Sequence, residues 1–179
     1  EYGVIETEKL VCLLFKTLHS KGKSKLVVST EISNLALSHN LSSLGAQLIE
    51  TQVGDRFVIN AVKSQEALFG SEPSGHYFFP MINNSMDGLA ALLHFLELIN
   101  SFGDSLDEEL NNLDHYDRIQ KNFDITENSD LDVVEIRKEL KLLIDEEIEK
   151  VVIRKSMWDP VIRVYYDFSV KNNFSVIES

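Results

Sequence analysis

Apolar positions recur along this chain in two alternating rhythms. Leu10, Leu13, Leu14 and Leu18 follow helical spacing behind Thr7 and Glu8, which can cap a helix start, and "HSKGKSK" breaks the run. "KLVVST" is a short β-branched stretch bounded by polar residues and reads as a buried strand. Ser33 and Asn34 offer N-caps for "LALSHNLSSLG", with Gly45 at the position that ends a helix. "AQLIETQV" alternates as a strand does, and Gly54 closes it. "DRFVINAVKSQ" predicts a short helix, while "ALFG" and "YFFP" predict strands. Asp87 then starts "DGLAALLHFLELINS", read as the most strongly amphipathic helix, and "SFGD" stops it. Helices alternating with strands predict an α/β layer structure through about residue 103.

Beyond that point the pattern weakens. Residues 104–130 are polar and acidic, and predict a connection with a surface helix near "LDEELNNL". "VVEIRKELKLLI" has Val133, Ile136, Leu140 and Leu143 at helical spacing, yet "LKLLIDEEIEKVVIR" also reads as two strands around an acidic turn. "VIRVYYDF" alternates as a strand. The expected organisation is an α/β domain over 1–103 with a mixed sheet and flanking helices, an acidic connection over 104–130, and a small α+β domain over 131–179. Because the chain opens on Glu1 rather than Met, with "EYGVIETEKL" reading like a hairpin tail running into a helix, it is expected to be a piece of a longer protein.

Charge and cysteine content narrow the partners. A formal charge of −12 argues against unspecific binding to nucleic acid or acidic membrane. No apolar run approaches the roughly 20 residues of a membrane-spanning helix, and the first residues do not resemble a secretion signal. The single cysteine, Cys12, lies in the apolar run "LVCLLF", where it is expected to fill the core. It rules out an internal disulfide and suits a reducing compartment, so a cytoplasmic location is expected.

Three stretches could carry chemistry. Ser38, His39 and Asn40 stand together in "LALSHN", but a nucleophilic serine needs a base held against it by tertiary geometry, and these residues belong to a helix pattern. "FGSEPSGHYFFP" sets Glu72, Ser74 and His76 at alternate positions among Gly70, Pro73 and Gly75. An extended segment would turn all three to one side, offering an acceptor, a hydroxyl and a titratable ring to a sugar; a polar turn leading into a strand reads equally well. In "IRKSMWDPVIR", Arg154 and Arg163 flank a loop holding Ser156. Guanidinium groups, a hydroxyl and loop amides could cradle phosphate, or the stretch is a hairpin with solvated arginines.

Taken together and in this order, these stretches resemble the α-D-phosphohexomutase family. "KLVVSTEISNLAL", "GAQLIETQVGDRFV", "ALFGSEPSGHYFFP" and "DGLAALLHFLEL" look like its third domain, and "VVIRKSMWDPVIRVYYDF" like the phosphate-binding segment of its fourth. The resemblance implies that the segment around Glu72, Ser74 and His76 is a ligand loop meeting the hydroxyls of a hexose phosphate. It places Gly54, Asp55 and Arg56 of "VGDR" beside the substrate. Arg154 and Ser156, with Arg163 nearby, would bind the phosphate that is not transferred. At Met157, Trp158 and Asp159 the chain departs from the family's glycine, threonine and glutamate, removing a flexible residue and a hydroxyl from that loop.

The resemblance further implies an isomerase, of phosphomannomutase or phosphoglucomutase type, that moves a phosphoryl group between C1 and C6 through a phosphorylated serine with Mg²⁺. The phosphoserine and magnesium loops belong to the family's first two domains, so neither a catalytic residue nor a metal ligand is expected in this chain. Its expected partners are hexose phosphate and the N-terminal domains of the same enzyme, and alone it should be inactive. Two other readings are a diverged, non-catalytic phosphosugar-binding module, suggested by the altered loop, and a scaffold acting through the acidic segment.

Overall fold

The computed structural model describes residues 4–20, 24–124, 148–155 and 161–169. The chain divides between Asp114 and His115 into two compact units. In the first, α1 (Thr7–His19) leads to β1 (Leu26–Thr30), α2 (Leu35–Ser43), β2 (Gln47–Thr51), α3 (Asp55–Gln65), β3 (Phe69–Ser71), β4 (Tyr77–Phe78), α4 (Gly88–Phe102) and α5 (Leu106–Asn111). The sheet runs β2-β1-β3-β4. Its first three strands are parallel, and β4 returns antiparallel to β3 through a short hairpin.

The core follows from the period-two alternation of strand side chains. Val27 and Phe69 face α1, α2 and α4, joining Leu13, Leu14, Leu37, Leu41 and Leu98. Val28 and Phe78 face the opposite layer, against Val58 and Val62 of α3. Thus α2 and α3, which follow β1 and β2, pack on opposite faces of the sheet, giving an α/β/α sandwich with β1 central. In open sheets of this kind ligands gather outside the carboxyl ends of the strands, where connections depart to opposite faces.

Several local expectations are realised in detail. Asn34 caps α2 by accepting from the Ala36 amide, and Asp87 caps α4 by accepting from Leu89 and Ala90. Cys12 is fully buried, and desolvation, reinforced by Glu8, pushes its thiol up to about 12, as suits a core filler. Ser38, His39 and Asn40 all lie in α2; Asn40 is buried, and its side chain exchanges two hydrogen bonds with the Asp114 backbone, at 2.9 and 2.8 Å. No helix among the described residues is long and apolar enough to cross a membrane.

Elsewhere the structure differs from expectation. Glu6, not Thr7, occupies the N-cap position of α1, and the Thr7 hydroxyl instead donates to the Pro73 carbonyl at 3.3 Å, fastening the helix to a distant loop. Helix α4 is not simply amphipathic: Ala90, Ala91 and Leu98 are buried, but Leu89, Leu92, Leu93, Leu96 and Ile99 are exposed. In the stretch expected as a connection, 104–130, the surface helix expected near "LDEELNNL" is present as α5, and the departure is the strand that follows it, β5 (Tyr116–Asp124). The division of the fold, between Asp114 and His115, falls within that stretch.

In the second unit β5, β6 (Ile148–Lys155) and β7 (Val161–Ser169) form an antiparallel sheet in the order β5-β7-β6. Arg118 on β5 stands opposite Asp167 on β7 and grips its buried carboxylate with two nitrogens, at 2.6 and 2.8 Å. That bidentate geometry gives direction as well as strength to a pair inside the sheet. The expected helix or strand over 133–143 lies outside the described residues.

Candidate functional site

Two loops meet at the carboxyl end of the parallel sheet. One follows β2 and carries Gly54, Asp55 and Arg56 into the start of α3; the other joins β3 to β4 and carries Glu72 through His76. In the second loop the Glu72 carbonyl accepts from the Gly75 amide and the Glu72 amide donates to the His76 carbonyl, both at 2.9 Å. Pro73 presets the second position of this turn, and Gly75, at φ +87°, takes the left-handed conformation that closes it. The segment is therefore a tight hairpin turn, not the extended strand that would have aligned Glu72, Ser74 and His76 by alternation.

The turn gives the three side chains separate jobs. Glu72 points inward and is only 6% exposed. Its Oε1 accepts from the Gly54 amide at 2.9 Å, and its Oε2 accepts from the Ser74 hydroxyl at 3.1 Å. One carboxylate thus clamps both loops, using an amide that the start of α3 would otherwise leave unpaired. Ser74 and His76 remain on the exposed surface of the turn. Beneath, the Ser29 hydroxyl donates to the Ser71 carbonyl at 3.0 Å and meets Ser33 Oγ at 2.7 Å, tying the ends of β1 and β3 together.

His76 has a partner that its own neighbourhood in the chain does not reveal. Its Nδ1 lies 2.9 Å from Asp55 Oδ1 and 3.9 Å from Glu72 Oε2, with the His76 and Asp55 side chains about half exposed. The hydrogen bond to Asp55 raises the imidazole pKa above its ordinary 6.5, against a smaller lowering by desolvation; the charges of Asp55 and Glu72 add to the rise. Arg56, the last residue of "VGDR", lays its guanidinium 4.5 Å from the centre of the Phe57 ring. Pairing of Asp55 with His76 across 21 positions carries no local signature.

The sign of that shift fixes a pH dependence. A histidine whose folded pKa lies above its unfolded value holds the turn most firmly below pH 6.5, and the contribution is lost as pH rises through the raised folded value. Asp55→Asn should bring the titration midpoint of His76, read from its imidazole C2 proton by NMR, down towards 6.5. An unchanged midpoint would show that Asp55 does not hold the ring.

Asp55, Glu72 and His76 offer ligand atoms that lie within 4.8 Å of one another. One imidazole nitrogen and two carboxylates suit a transition metal better than Mg²⁺, which prefers an octahedron of oxygens and keeps several waters. These residues therefore do not fit the magnesium of a phosphoryl-transfer site, and they already satisfy one another. In the second unit, Arg154 and Arg163 stand opposite each other on β6 and β7. Ser156 and the Met157–Asp159 departure lie outside the described residues.

Comparison with known proteins shows which family the fold belongs to. Residues 6–116 match the model of phosphoglucomutase/phosphomannomutase, alpha/beta/alpha domain III. The phosphoglucosamine mutase of Desulforamulus reducens is 30% identical over 169 residues, covering 90% of this chain and 38% of that protein. That of Bacillus subtilis is 28% identical over 178 residues, covering 94% and 39%. Among solved structures, a phosphoglucomutase/phosphomannomutase family protein from Burkholderia thailandensis superposes with a TM-score of 0.70 at 17% identity, over 94% of this chain and 39% of its own. The N-acetylphosphoglucosamine mutase of Aspergillus fumigatus, solved with glucose 1,6-bisphosphate, gives 0.65 at 14% identity, over 93% and 40%. The chain thus spans less than half the length of the relatives it matches. With a matched domain that runs from α1 to the start of β5 and holds the clamped pair of loops at its sheet edge, the chain belongs to the phosphoglucomutase/phosphomannomutase family of phosphohexomutases.

Proposed function

We propose that this chain is the substrate-holding part of a phosphohexomutase that interconverts hexose 1-phosphate and hexose 6-phosphate. The observation that carries the reading is the Glu72 carboxylate bonded to both Gly54 and Ser74, which sets the two loops as one platform. On that platform Ser74 and His76 are exposed, each held by a carboxylate, Ser74 by Glu72 and His76 by Asp55. Sugar hydroxyls need such mixed donors and acceptors, and fixing them in advance lowers the cost of ordering on binding. Protonated His76 also offers a positive charge to a phosphate.

Glucosamine phosphate is the first substrate to test. The Desulforamulus reducens and Bacillus subtilis relatives are phosphoglucosamine mutases, and the C2 ammonium of that sugar would find the half-exposed Asp55 carboxylate at the platform. Arg154, Ser156 and Arg163 are proposed to hold the phosphate that stays in place. In the complete enzyme Mg²⁺ would stabilise the charge on the phosphoryl group in flight, held by residues outside this chain. This part would orient the sugar and supply no nucleophile, so the chain alone should not turn over substrate.

Calorimetric titration of the chain with glucosamine 6-phosphate tests the reading. Binding near about 1 mM is expected, because much of the ligand's surround is missing, and Ser74→Ala and Arg154→Ala should each weaken it by about tenfold. Wild-type affinity in Arg154→Ala would remove the phosphate assignment. An absence of binding to any hexose phosphate would favour the diverged, non-catalytic module that the Met157-Trp158-Asp159 sequence suggests.

A further inference from the structure

The Glu72 carboxylate, besides clamping two loops, meets two other groups that can ligate a metal ion. His76 Nδ1 lies 2.9 Å from Asp55 Oδ1 and 3.9 Å from Glu72 Oε2. One donor atom from each of the three residues falls within 4.8 Å of the others. Around a tetrahedral zinc ion, bonds of about 2.0–2.1 Å set neighbouring ligand atoms roughly 3.4 Å apart. The separations of 2.9 and 3.9 Å stand on either side of that value. Asp55 and His76 are about half exposed, which leaves their side chains room to turn and close the set.

The third ligand is already held. Glu72 is buried, its Oε1 accepting from the Gly54 amide and its Oε2 from the Ser74 hydroxyl. Carboxylates that ligate metals are characteristically hydrogen-bonded in this way, which fixes their direction in advance. Two hydrogen bonds leave lone pairs on this carboxylate for an ion. Charge points the same way. Among the described residues His76 is the positive group paired with Glu72, and at 3.9 Å it stands beyond hydrogen-bonding reach. A buried carboxylate is usually paired closely or bound to a metal.

The hydrogen bond between His76 and Asp55 marks the two atoms that an ion would join. On binding, the Nδ1 proton passes to Nε2 of a neutral ring, or to solvent from a protonated one. One imidazole with two carboxylates favours zinc over magnesium or calcium, which take oxygen ligands. We propose that Asp55, Glu72 and His76 form a zinc site, and that bound Zn²⁺ excludes hexose phosphate from the two loops. Three protein ligands leave the fourth position to water. The exclusion rests on the reading of the loops as a sugar platform, because the ion would engage Asp55 and His76; the metal site does not depend on it.

Calorimetric titration of the chain with zinc chloride alone tests the site. One ion per chain should bind, and Asp55→Asn and His76→Ala should each weaken it by at least about tenfold. His115→Ala, at a separate histidine–aspartate pair, should change nothing, and excess Mg²⁺ should not displace the ion. Cys12 is fully buried and does not compete. Co²⁺ in place of Zn²⁺ gives a visible spectrum that reports the site. Glucosamine 6-phosphate should abolish that spectrum, whereas glycerol 3-phosphate at the same concentration, a phosphate without a hexose ring, should not. Equal zinc affinity in the wild type and His76→Ala, displacement by Mg²⁺, or no binding at all overturns the proposal. So does a cobalt spectrum that persists at a glucosamine 6-phosphate concentration saturating the metal-free chain. The zinc titration contains no sugar, so its failure is separable from that of the sugar phosphate titration.

Discussion

Replacing Glu72 by alanine should loosen both loops of the candidate site together and remove hexose phosphate binding. The carboxylate is buried and accepts from the Gly54 amide and the Ser74 hydroxyl. Alanine leaves the amide without its partner, frees the hydroxyl, and opens a small void. Hydrogen bonds to a charged group are worth about 1.5–3 kcal/mol each, and a buried donor left unpaired costs about 1–3 kcal/mol. Because Ser74 can turn to water, a loss of about 3 kcal/mol is expected, read as a lower urea midpoint. The same substitution releases Ser74 and takes one negative charge from beside His76, so affinity for glucosamine 6-phosphate should fall at least about tenfold, the equivalent of about 1.4 kcal/mol. Glu72→Gln separates the effects. Its amide oxygen can still accept from Gly54, so most stability returns, while the lost charge lowers the His76 midpoint. Unaltered stability and affinity in Glu72→Ala would show that the carboxylate is not a clamp.

Gly70→Val should be the most damaging single change to the fold that supports the site. Gly70 lies on β3, paired with Val28, where α3 presses against the sheet. A Cβ there would sit 2.5 Å from Val58 Cγ1 and 2.7 Å from Val62 Cγ2. Both valines are essentially fully buried, and a β-branched side chain inside a helix has one strongly preferred rotamer, so neither can turn aside. The helix must move. Overpacking of this kind costs about 1–3 kcal/mol, expected for Gly70→Ala, and valine should exceed that range. Displacement of α3 carries Gly54 and Asp55 away from Glu72 and His76, so ligand binding should fall with stability. Val62→Ala should partly rescue Gly70→Ala, a non-additivity that equilibrium unfolding of the single and double variants measures. Wild-type stability in Gly70→Ala would mean that α3 does not lie so close to β3.

What the chain revealed beforehand was local. Asn34 and Asp87 announce helix starts because a cap needs only a side-chain oxygen two or three residues from the amides it serves. The β-branched run Leu26–Thr30 announces a strand for a similarly short-range reason. The misread features depend on contacts distant in sequence. Asp55 and His76 meet only because β2 and β3 flank β1 and bring their following loops together. At Glu72, Ser74 and His76 the sequence left an extended segment and a polar turn equally open, and Pro73 and Gly75 make it a turn. β5 hid in a polar stretch because its partner, β7, begins 45 positions after it in register with Tyr116 through Asp124. Helix α4 looked amphipathic because spacing identifies one apolar face readily, and a second such face acquires meaning only when packing leaves it uncovered.

The central claim is that the turn after β2 and the turn after β3 hold a phosphosugar as one surface. Amide NMR of the ¹⁵N-labelled chain, titrated with glucosamine 6-phosphate, addresses it directly. The account predicts that the resonances of residues 54–56 and 72–76 shift along a single saturation curve with a midpoint near about 1 mM, and that Glu72→Ala abolishes the response at both turns. Shifts that leave both turns untouched, or that affect one turn while the other stays fixed, would contradict it.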